Sequence, residues 1–173
     1  MTIRKIATIG HPVLREVARE ITREELASVD MQRLIDDLIE TRADANGAGI
    51  AANQVFEAVR ICVVCVKDNP RYPYKPNFPL TVLVNPVVTP TTEVRFRNFE
   101  GCLSVPNLRG EVQRYAGVRV TAWDRHGGDI DLQVRGLTAG TFQHEVDHLD
   151  GKLFVDRVED TRTFCTWADF ERY

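Results

Sequence analysis

Two histidines and a glutamate in the C-terminal third of the chain have the spacing of a hydrolytic metal site. His144 and His148 are four residues apart, so on a helix their side chains lie on one face, about one turn apart. Two imidazoles in that arrangement can bind one tetrahedral metal ion. Glu145 directly follows the first histidine and can take a proton from water beside the metal. The pattern predicts hydrolysis, although a helix with two solvated or core histidines is an alternative, and a third ligand is still needed.

Cys102 is the candidate third ligand. It lies in the segment Glu-Gly-Cys-Leu-Ser, which begins at Glu100, after a strand expected to end near Phe99. A cysteine thiolate is a good ligand for zinc or ferrous iron, and three protein ligands leave one coordination position for water. Taken alone, however, Cys102 is better explained as a buried free cysteine at a strand end.

A glycine-rich segment, residues 47–54, is the next candidate. Gly47, Gly49 and Ala52 match a dinucleotide-binding pattern, but that pattern requires a preceding strand, whereas a helix is expected here. Small residues allow a substrate backbone to approach closely, and the Gln54 amide can donate to an oxyanion. The alternative is a helix C-cap followed by a turn.

Cys62 and Cys65 have the C-x-x-C spacing of a zinc or redox pair. Their surroundings predict a buried strand, on which positions three apart point to opposite faces. The two thiols then cannot share one metal ion or close a local disulfide. We therefore interpret both as structural cysteines.

Hydrophobic periodicity predicts an α+β domain. A long helix is expected over about 27–43, and the metal-motif helix over 136–149, ended by Asp150-Gly151. The strands are expected between them, at about 59–67, 80–88, 92–99, 111–124 and 129–135. Strands grouped between an early and a late helix favour an α+β fold over alternating βαβ units. The proline-rich stretch 68–79 is expected to be an exposed loop that flanks the site or covers a sheet edge.

Size and charge narrow the class of protein. The 173 residues are 43% hydrophobic and 27% charged, which predicts a single catalytic domain over residues 1–173. No apolar run approaches the roughly 20 residues of a membrane span, and the N-terminus lacks a signal core. A cytoplasmic protein without membrane contact is therefore expected. The net charge of −3 gives no support for direct nucleic-acid binding.

Together, the three motifs resemble those of the peptide deformylase family. The glycine-rich segment ending in Gln54, the Glu-Gly-Cys-Leu-Ser segment and Gln-His-Glu-x-Asp-His at Gln143–His148 occur in the family's order. The early segment Gly10–Arg15 also resembles the family's opening, so the resemblance spans about residues 3–160. Two departures are conservative or remote: Ile50 replaces the commonest leucine, and His11 replaces an aspartate.

The resemblance implies a fold, a cofactor and a reaction. Antiparallel β-sheets are expected around a central C-terminal metal-binding helix. Cys102, His144 and His148 are expected to bind one divalent metal ion, which is typically Fe(II) in the cell, with Zn or Ni possible. Glu145 is expected to be the general base and acid. The substrate implied is the N-formyl group of the N-terminal formyl-methionine of new polypeptides, which is released as formate.

The resemblance also implies substrate contacts. Gln54 and the backbone N–H of Leu103 are expected to stabilise the oxyanion, and Gly49 and Gly101 to contact the substrate. Arg109 aligns with an arginine near the family's substrate mouth, with a solvated surface arginine as an equal alternative.

Three further side chains are weaker candidates. Leu137 and Thr141 precede the metal face by two turns and one turn of helix and can line a methionine pocket; core packing is the alternative for Leu137. Asp147 can pair with Arg114 to support the site, but an ordinary surface or helix salt bridge is favoured.

Two other functions also fit the sequence. A zinc endopeptidase shares the His-Glu-x-x-His pattern, although most such enzymes use a histidine or carboxylate as third ligand. A noncatalytic metal-binding relative is the second alternative. Residues 156–173 contain five acids and three arginines, unlike the basic C-terminal helix with which some deformylases contact the ribosome. Only a transient ribosome contact is therefore expected.

Overall fold

The computed structural model describes residues 2–172, within which seven strands pair antiparallel into two sheets. The helices are α1 (Arg23–Leu26), α2 (Val29–Asp44), α3 (Gly136–Leu149) and α4 (Trp167–Arg172), with short 3-10 helices at Pro12–Arg15, Ala52–Val55, Phe154–Arg157 and Thr161–Thr163. The strands are β1 (Gly49–Ala51), β2 (Ile61–Val66), β3 (Phe78–Pro90), β4 (Arg95–Cys102), β5 (Val105–Tyr115), β6 (Gly117–Trp123) and β7 (Asp129–Arg135). None of the helices within residues 2–172 is long and apolar enough to cross a membrane.

The larger sheet has the order β1-β2-β3-β6-β7, and its two faces carry different helices. Successive side chains of β2 point to opposite faces, as the pleat requires. Ile61 and Val63 pack with Leu34 and Ile35 of α2 in one core. Cys62 packs with Phe142 of α3 in the other. The apolar strand β2 is buried on both faces because a helix covers each of them.

Helix α3 lies between the two sheets. It packs against β1, β2 and β3 of the larger sheet and against β4 and β5, which form the two-stranded sheet. Its buried residues extend almost all round, from Ala139 to Leu149. The prediction of antiparallel sheets around a central metal-motif helix is confirmed, and two 3-10 helices and the short α4 follow it.

Most element boundaries agree with the sequence prediction, but several do not: β1 was not predicted, and β5 begins at Val105 instead of near residue 111. The strand expected over 111–124 is two strands, β5 and β6, which turn at Ala116 and belong to different sheets. Strand β4 continues to Cys102 instead of ending near Phe99, so the cysteine is part of the strand. The stretch 68–79 is not wholly an exposed loop, because Asn69 and Tyr72 are buried and β3 begins at Phe78.

Cys62 and Cys65 are both free thiols on β2, as the strand interpretation requires. Cys62 is buried in the α3-facing core, whereas Cys65 is half-buried at an irregularity in the pairing between β2 and β3. The structural interpretation of these two cysteines is confirmed.

Candidate active site

Cys102, His144 and His148 converge at the end of β4 and along α3. Their ligand atoms all lie within 4.8 Å of one another, and Cys102 Sγ is 3.2 Å from His148 Nε2. The two imidazole rings have centroids 5.0 Å apart, the separation expected for one helical turn. One sulfur and two nitrogen donors suit zinc or another borderline-soft divalent metal.

Glu145 lies beside these three residues with one carboxylate oxygen unpaired. The side chain is buried, and its Oε2 has no hydrogen-bond partner among the described residues. Burial raises the pKa of Glu145, although the charges of His144 and His148 oppose that shift. A buried carboxylate with a raised pKa and an open lone pair suits a group that exchanges a proton with water.

Gly49 is a glycine because Glu145 packs directly against it. A Cβ atom at residue 49 would overlap the Glu145 carboxylate, so any side chain there would displace it. The sequence predicted that the substrate backbone approaches Gly49. In the structure, the catalytic candidate itself approaches it from one side.

Glu100 fixes the orientation of His144. Glu100 Oε2 lies 2.7 Å from Nδ1 of His144, which leaves the other ring nitrogen for a metal ion. Burial alone would raise the pKa of Glu100, but Arg114 and His144 hold it well below its ordinary value. The carboxylate is therefore ionised and accepts a hydrogen bond from the imidazole Nδ1–H.

Arg114 joins Glu100 to the metal helix through a buried network. It donates two bonds to Glu100, at 2.7 and 2.9 Å, and a third to Asp147. Asp147 also accepts from Arg157. The exposed fractions of the Arg114 and Asp147 side chains are only 3% and 8%. The favoured prediction of a surface or helix salt bridge was wrong, because β5 and α3 enclose this pair.

The charges around Cys102 keep its sulfur ionised. Burial alone would raise the pKa of the thiol, but His148 and His144 hold it well below its ordinary value. Burial also lowers the pKa of His144, which Cys102 and Glu100 more than offset. The thiolate is the form of cysteine that binds metals. The negative charges of Cys102 and Glu100 attract a positive ion to this position.

Gln54 and Leu103 flank the cysteine. Gln54 is buried, accepts from the backbone N–H of Ala51, and donates to Ser104 Oγ at 3.0 Å. Its Nε2 also lies 3.6 Å from Cys102 Sγ. Leu103 follows the cysteine and lines the cavity in front of it. Both residues are thus brought to the metal ligands, and their oxyanion role stays a prediction.

A small cavity of about 30 Å³ lies in front of the metal ligands. Its backbone-rich walls are the glycine segment 47–49 on one side and residues 99–103 on the other. Its polar side chains, apart from the site residues already described, are Lys75, Asn98 and Thr141, with Tyr72 at its edge. The segment between β2 and β3 thus forms part of the site.

The remaining predicted substrate contacts lie at different depths. Gly101 lines the cavity, and a Cβ on it would meet Trp167 at 2.6 Å. Leu137 lines an adjoining narrow cleft. Arg109 is 1% exposed, so it is not a solvated surface arginine. It donates to Tyr74 Oη and to the carbonyl of Phe99, behind the wall of the main cavity.

The sequence interpretation missed the roles of Glu100 and Lys75. Glu100 carries a usable signal once β4 is known to continue to Cys102, because it then stands two residues before the cysteine on one strand and shares its face. Lys75 carried none, since it lies in an irregular segment whose path depends on distant contacts.

Three comparisons with known proteins agree with this geometry. A family model described as polypeptide deformylase matches residues 3–164. Peptide deformylase 2 of Nostoc sp. is 44% identical over 167 residues, covering 96% of this chain and 92% of that protein. Peptide deformylase 1 of Nitrosomonas europaea is 40% identical over 162 residues, covering 94% and 91%.

A solved structure has the same fold. The class I type b peptide deformylase from Acinetobacter baumannii, with Met-Ala-Ser bound, superposes with a TM-score of 0.87 at 37% identity. The match covers 91% of this chain and 99% of that one.

Proposed function

The chain belongs to the polypeptide deformylase family and is a metal-dependent hydrolase, and we propose that its substrate is the N-formyl group of formyl-methionine at the N-terminus of new polypeptides. The products are formate and a free α-amino group. The observation that carries this proposal is the convergence of Cys102, His144 and His148 beside the unpaired carboxylate oxygen of Glu145.

Cys102, His144 and His148 would hold one divalent metal ion, and Fe(II) is the ion we propose for the cell, with Zn or Ni as substitutes. When bound, such an ion acts as a Lewis acid and brings the pKa of water to about 7. The fit is supported by the donor set and by Glu100, which turns one nitrogen of His144 toward the site.

Glu145 supplies the proton transfers. Its open carboxylate oxygen takes a proton from water, and the hydroxide adds to the formyl carbon. The C–N bond then breaks, and Glu145 returns the proton to the leaving amine. Gly49 holds the carboxylate in place, since the packing between them leaves no room for a side chain.

Gln54 and the backbone N–H of Leu103 stabilise the negative charge that develops on the formyl oxygen. Gln54 is positioned by its own bonds to Ala51 and Ser104, so its amide is fixed before the substrate arrives. A fixed donor of this kind contributes roughly 3 kcal/mol to lowering the barrier.

The peptide binds along the glycine segment. Strand β1 pairs with β2 on one side and, within residues 2–172, has no strand on its other side. An extended peptide can pair with such an edge. Gly49 and Gly101, on opposite walls of the cavity, would contact its backbone. The Met-Ala-Ser peptide in the Acinetobacter baumannii relative supports a peptide ligand.

Several finer expectations accompany this function. Residues 1–173 form one catalytic domain, the enzyme is cytoplasmic, and its contact with the ribosome is transient. Arg109 supports the substrate mouth from behind Gly101, and Leu137 packs beside the methionine pocket. No direct nucleic-acid binding is expected.

Formate release from formyl-Met-Ala-Ser by anaerobically purified, iron- or nickel-loaded enzyme is the direct test. Glu145→Gln should abolish turnover while metal content stays the same. Glu93→Gln, at an exposed position, is the matched control and should retain full activity. Absence of formate release from loaded wild-type enzyme would refute the function, and an active Glu145→Gln enzyme would refute the assigned base.

A further inference from the structure

We propose that Lys75 is a specificity-determining residue, whose side-chain nitrogen donates to a hydrogen-bond acceptor at the end of the substrate's first side chain. This inference rests on the proposed deformylase function. It assigns a polar end to the pocket that receives the residue next to the formyl group.

A hydrogen bond anchors the side chain of Lys75 to the metal-motif helix α3. It lies between β2 and β3, and its Nζ donates to Thr141 Oγ1 at 2.9 Å. Thr141 precedes the metal ligand His144 by three residues, so both side chains lie on the same face of α3. Lys75 Nζ also lies 4.7 Å from the centre of the Tyr72 ring. These contacts place a positive group on the wall of the cavity beside the reacting bond.

The pair Lys75 and Thr141 separates the cavity from an adjoining cleft. Both residues line the cavity in front of the metal ligands, and both also line an adjoining narrow cleft that is too tightly packed to hold a water molecule. The adjoining cleft is otherwise mainly apolar, with Val66 and Leu137 among its walls. A substrate side chain that enters from the metal site therefore meets the Lys75–Thr141 pair before it can reach the apolar walls of the adjoining cleft.

The chemistry of that end wall favours acceptors. An ammonium has three N–H donors, of which Thr141 takes one. Burial lowers the pKa of Lys75, while Glu100 and Glu145 oppose the shift, which agrees with a nitrogen largely withdrawn from water. A methylene placed against it would leave a donor unsatisfied, whereas an oxygen acceptor would satisfy it.

This wall predicts a ranking of substrates that differ at one position of the side chain. A sulfoxide oxygen is a strong acceptor, a thioether sulfur is a weak one, and a methylene is none. Formyl-methionine sulfoxide should therefore lose little against formyl-methionine, and formyl-norleucine should be the poorest of the three. The pocket would accept N-formyl peptides whose first side chain ends in an acceptor, the oxidised form of methionine included.

The test compares formate release from formyl-Met-Ala-Ser and from its methionine sulfoxide and norleucine analogues. The measured quantity is the ratio of kcat/KM for the sulfoxide to that for norleucine. This ratio does not depend on how much of each preparation is active. Lys75→Met should lower it about tenfold, as expected for loss of one hydrogen bond to a charged group. Thr141→Val, which removes the anchor, should lower it in the same direction.

Lys67→Met removes the same charge from an exposed position and should leave the ratio unchanged. A fall of about threefold or more with Lys75→Met supports the assignment, since a bond to a charged group is worth at least that much. A smaller change overturns it. Should Lys75→Met fail to fold, Thr141→Val decides by the same threshold. If wild-type enzyme releases no formate from any of the three peptides, the deformylase function fails instead.

Discussion

Arg109 and Arg114 lie on the same strand, β5, and are almost fully buried, at 1% and 2% exposed, but their surroundings are opposite in kind. Carboxylates surround Arg114, which binds Glu100 and Asp147. Aromatic rings surround Arg109: its guanidinium carbon lies 3.8 Å from the ring centre of Phe170 and 4.4 Å from that of Trp167. Because the two positions are an odd number of residues apart, they point to opposite faces of the strand.

The partners of each arginine explain the difference. Arg114 connects β4 to α3, the two elements that carry the metal ligands. Its charge keeps Glu100 ionised, and the Glu100 carboxylate in turn binds His144. Arg109 connects β5 to the C-terminal segment instead. Its backbone forms two hydrogen bonds with Cys165, and its side chain supports α4. One buried arginine therefore serves the site through charge, and the other anchors the end of the chain through packing.

Replacing Arg114 should have the largest effect. Arg114→Met leaves the buried Glu100 without its arginine and removes one of the two arginines that bind Asp147, so we expect the free energy of unfolding to fall by about 3–5 kcal/mol. Metal affinity should fall roughly 10- to 100-fold, because Glu100 would no longer be held against His144. Urea unfolding followed by circular dichroism and competition with a chelator measure the two effects.

The control for Arg114→Met is Arg119→Met, which breaks an ion pair with Asp131 whose members are both about half exposed. It should change neither measured quantity detectably. If Arg114→Met and Arg119→Met lost the same stability, burial of the Arg114 network would have no energetic consequence. The assignment of a charge-based role to Arg114, in contrast to Arg109, would then be contradicted.

Acid should reduce the difference between wild type and Arg114→Met. The pKa values of Glu100 and Asp147 are lowered in the folded protein: burial would raise both, but Arg114, with His144 at Glu100 and Arg157 at Asp147, outweighs it. Their stabilisation is therefore complete above the unfolded pKa values of about 4 and is lost as the pH falls toward the folded ones.

Urea midpoints measured from pH 7 to pH 3 follow this loss. The stability gap between wild type and Arg114→Met should narrow below about pH 4, where the unfolded carboxylates begin to take up protons. The difference in stability between wild type and Arg109→Met should stay constant, because the rings of Phe170 and Trp167 carry no titratable group. Parallel curves for the two variants would show that the Arg114 network is not held by charge.

The active-site chemistry was predictable from the sequence because local spacing determines it. His144 and His148 share a helix face by their separation, and the bounds of α3 agree with the predicted 136–149. Cys102 could be proposed only by its residue type and by family resemblance, since β4 and α3 meet through the tertiary fold. Glu100 and Cys102 share a face only because β4 continues to Cys102, whereas the strand was expected to end near Phe99.

The contacts that the sequence did not predict join distant segments. Arg114 and Asp147 are 33 residues apart, and Lys75 and Thr141 are 66 apart. No local periodicity relates such pairs, and a charged residue on a strand or in a proline-rich loop is normally expected in water. Arg114 is buried because the tertiary fold packs α3 against β5.

Replacing Arg109 should have an intermediate effect. Arg109→Met keeps most of the apolar contact with the rings but loses the cation–π attraction and the bonds to Tyr74 and Phe99. We expect a stability loss of about 2 kcal/mol, the value for a desolvated cation–π contact. The C-terminal segment should become easier to cleave by limited proteolysis, whereas metal content should stay at the wild-type level. Reduced metal content in a folded Arg109→Met protein would contradict the separation of roles.

Replacing Arg157 tests the effect of burial within the Arg114 network, and it should cause the smallest loss of stability. It binds the same carboxylate as Arg114, that of Asp147, but the Arg157 side chain is 40% exposed. Water and salt screen an ion pair at that exposure, so Arg157→Met should cost only about 0–1 kcal/mol. Asp147 would keep its bond to Arg114, and no buried charge would be left unpaired. Urea unfolding of the Arg114→Met and Arg157→Met variants at low and high salt makes the comparison, and only the smaller loss should depend on salt. An equal loss of stability from both variants would mean that the two arginines stabilise Asp147 equally, whatever their exposure. The expected larger loss from Arg114→Met means that burial gives the Arg114–Asp147 pair its strength.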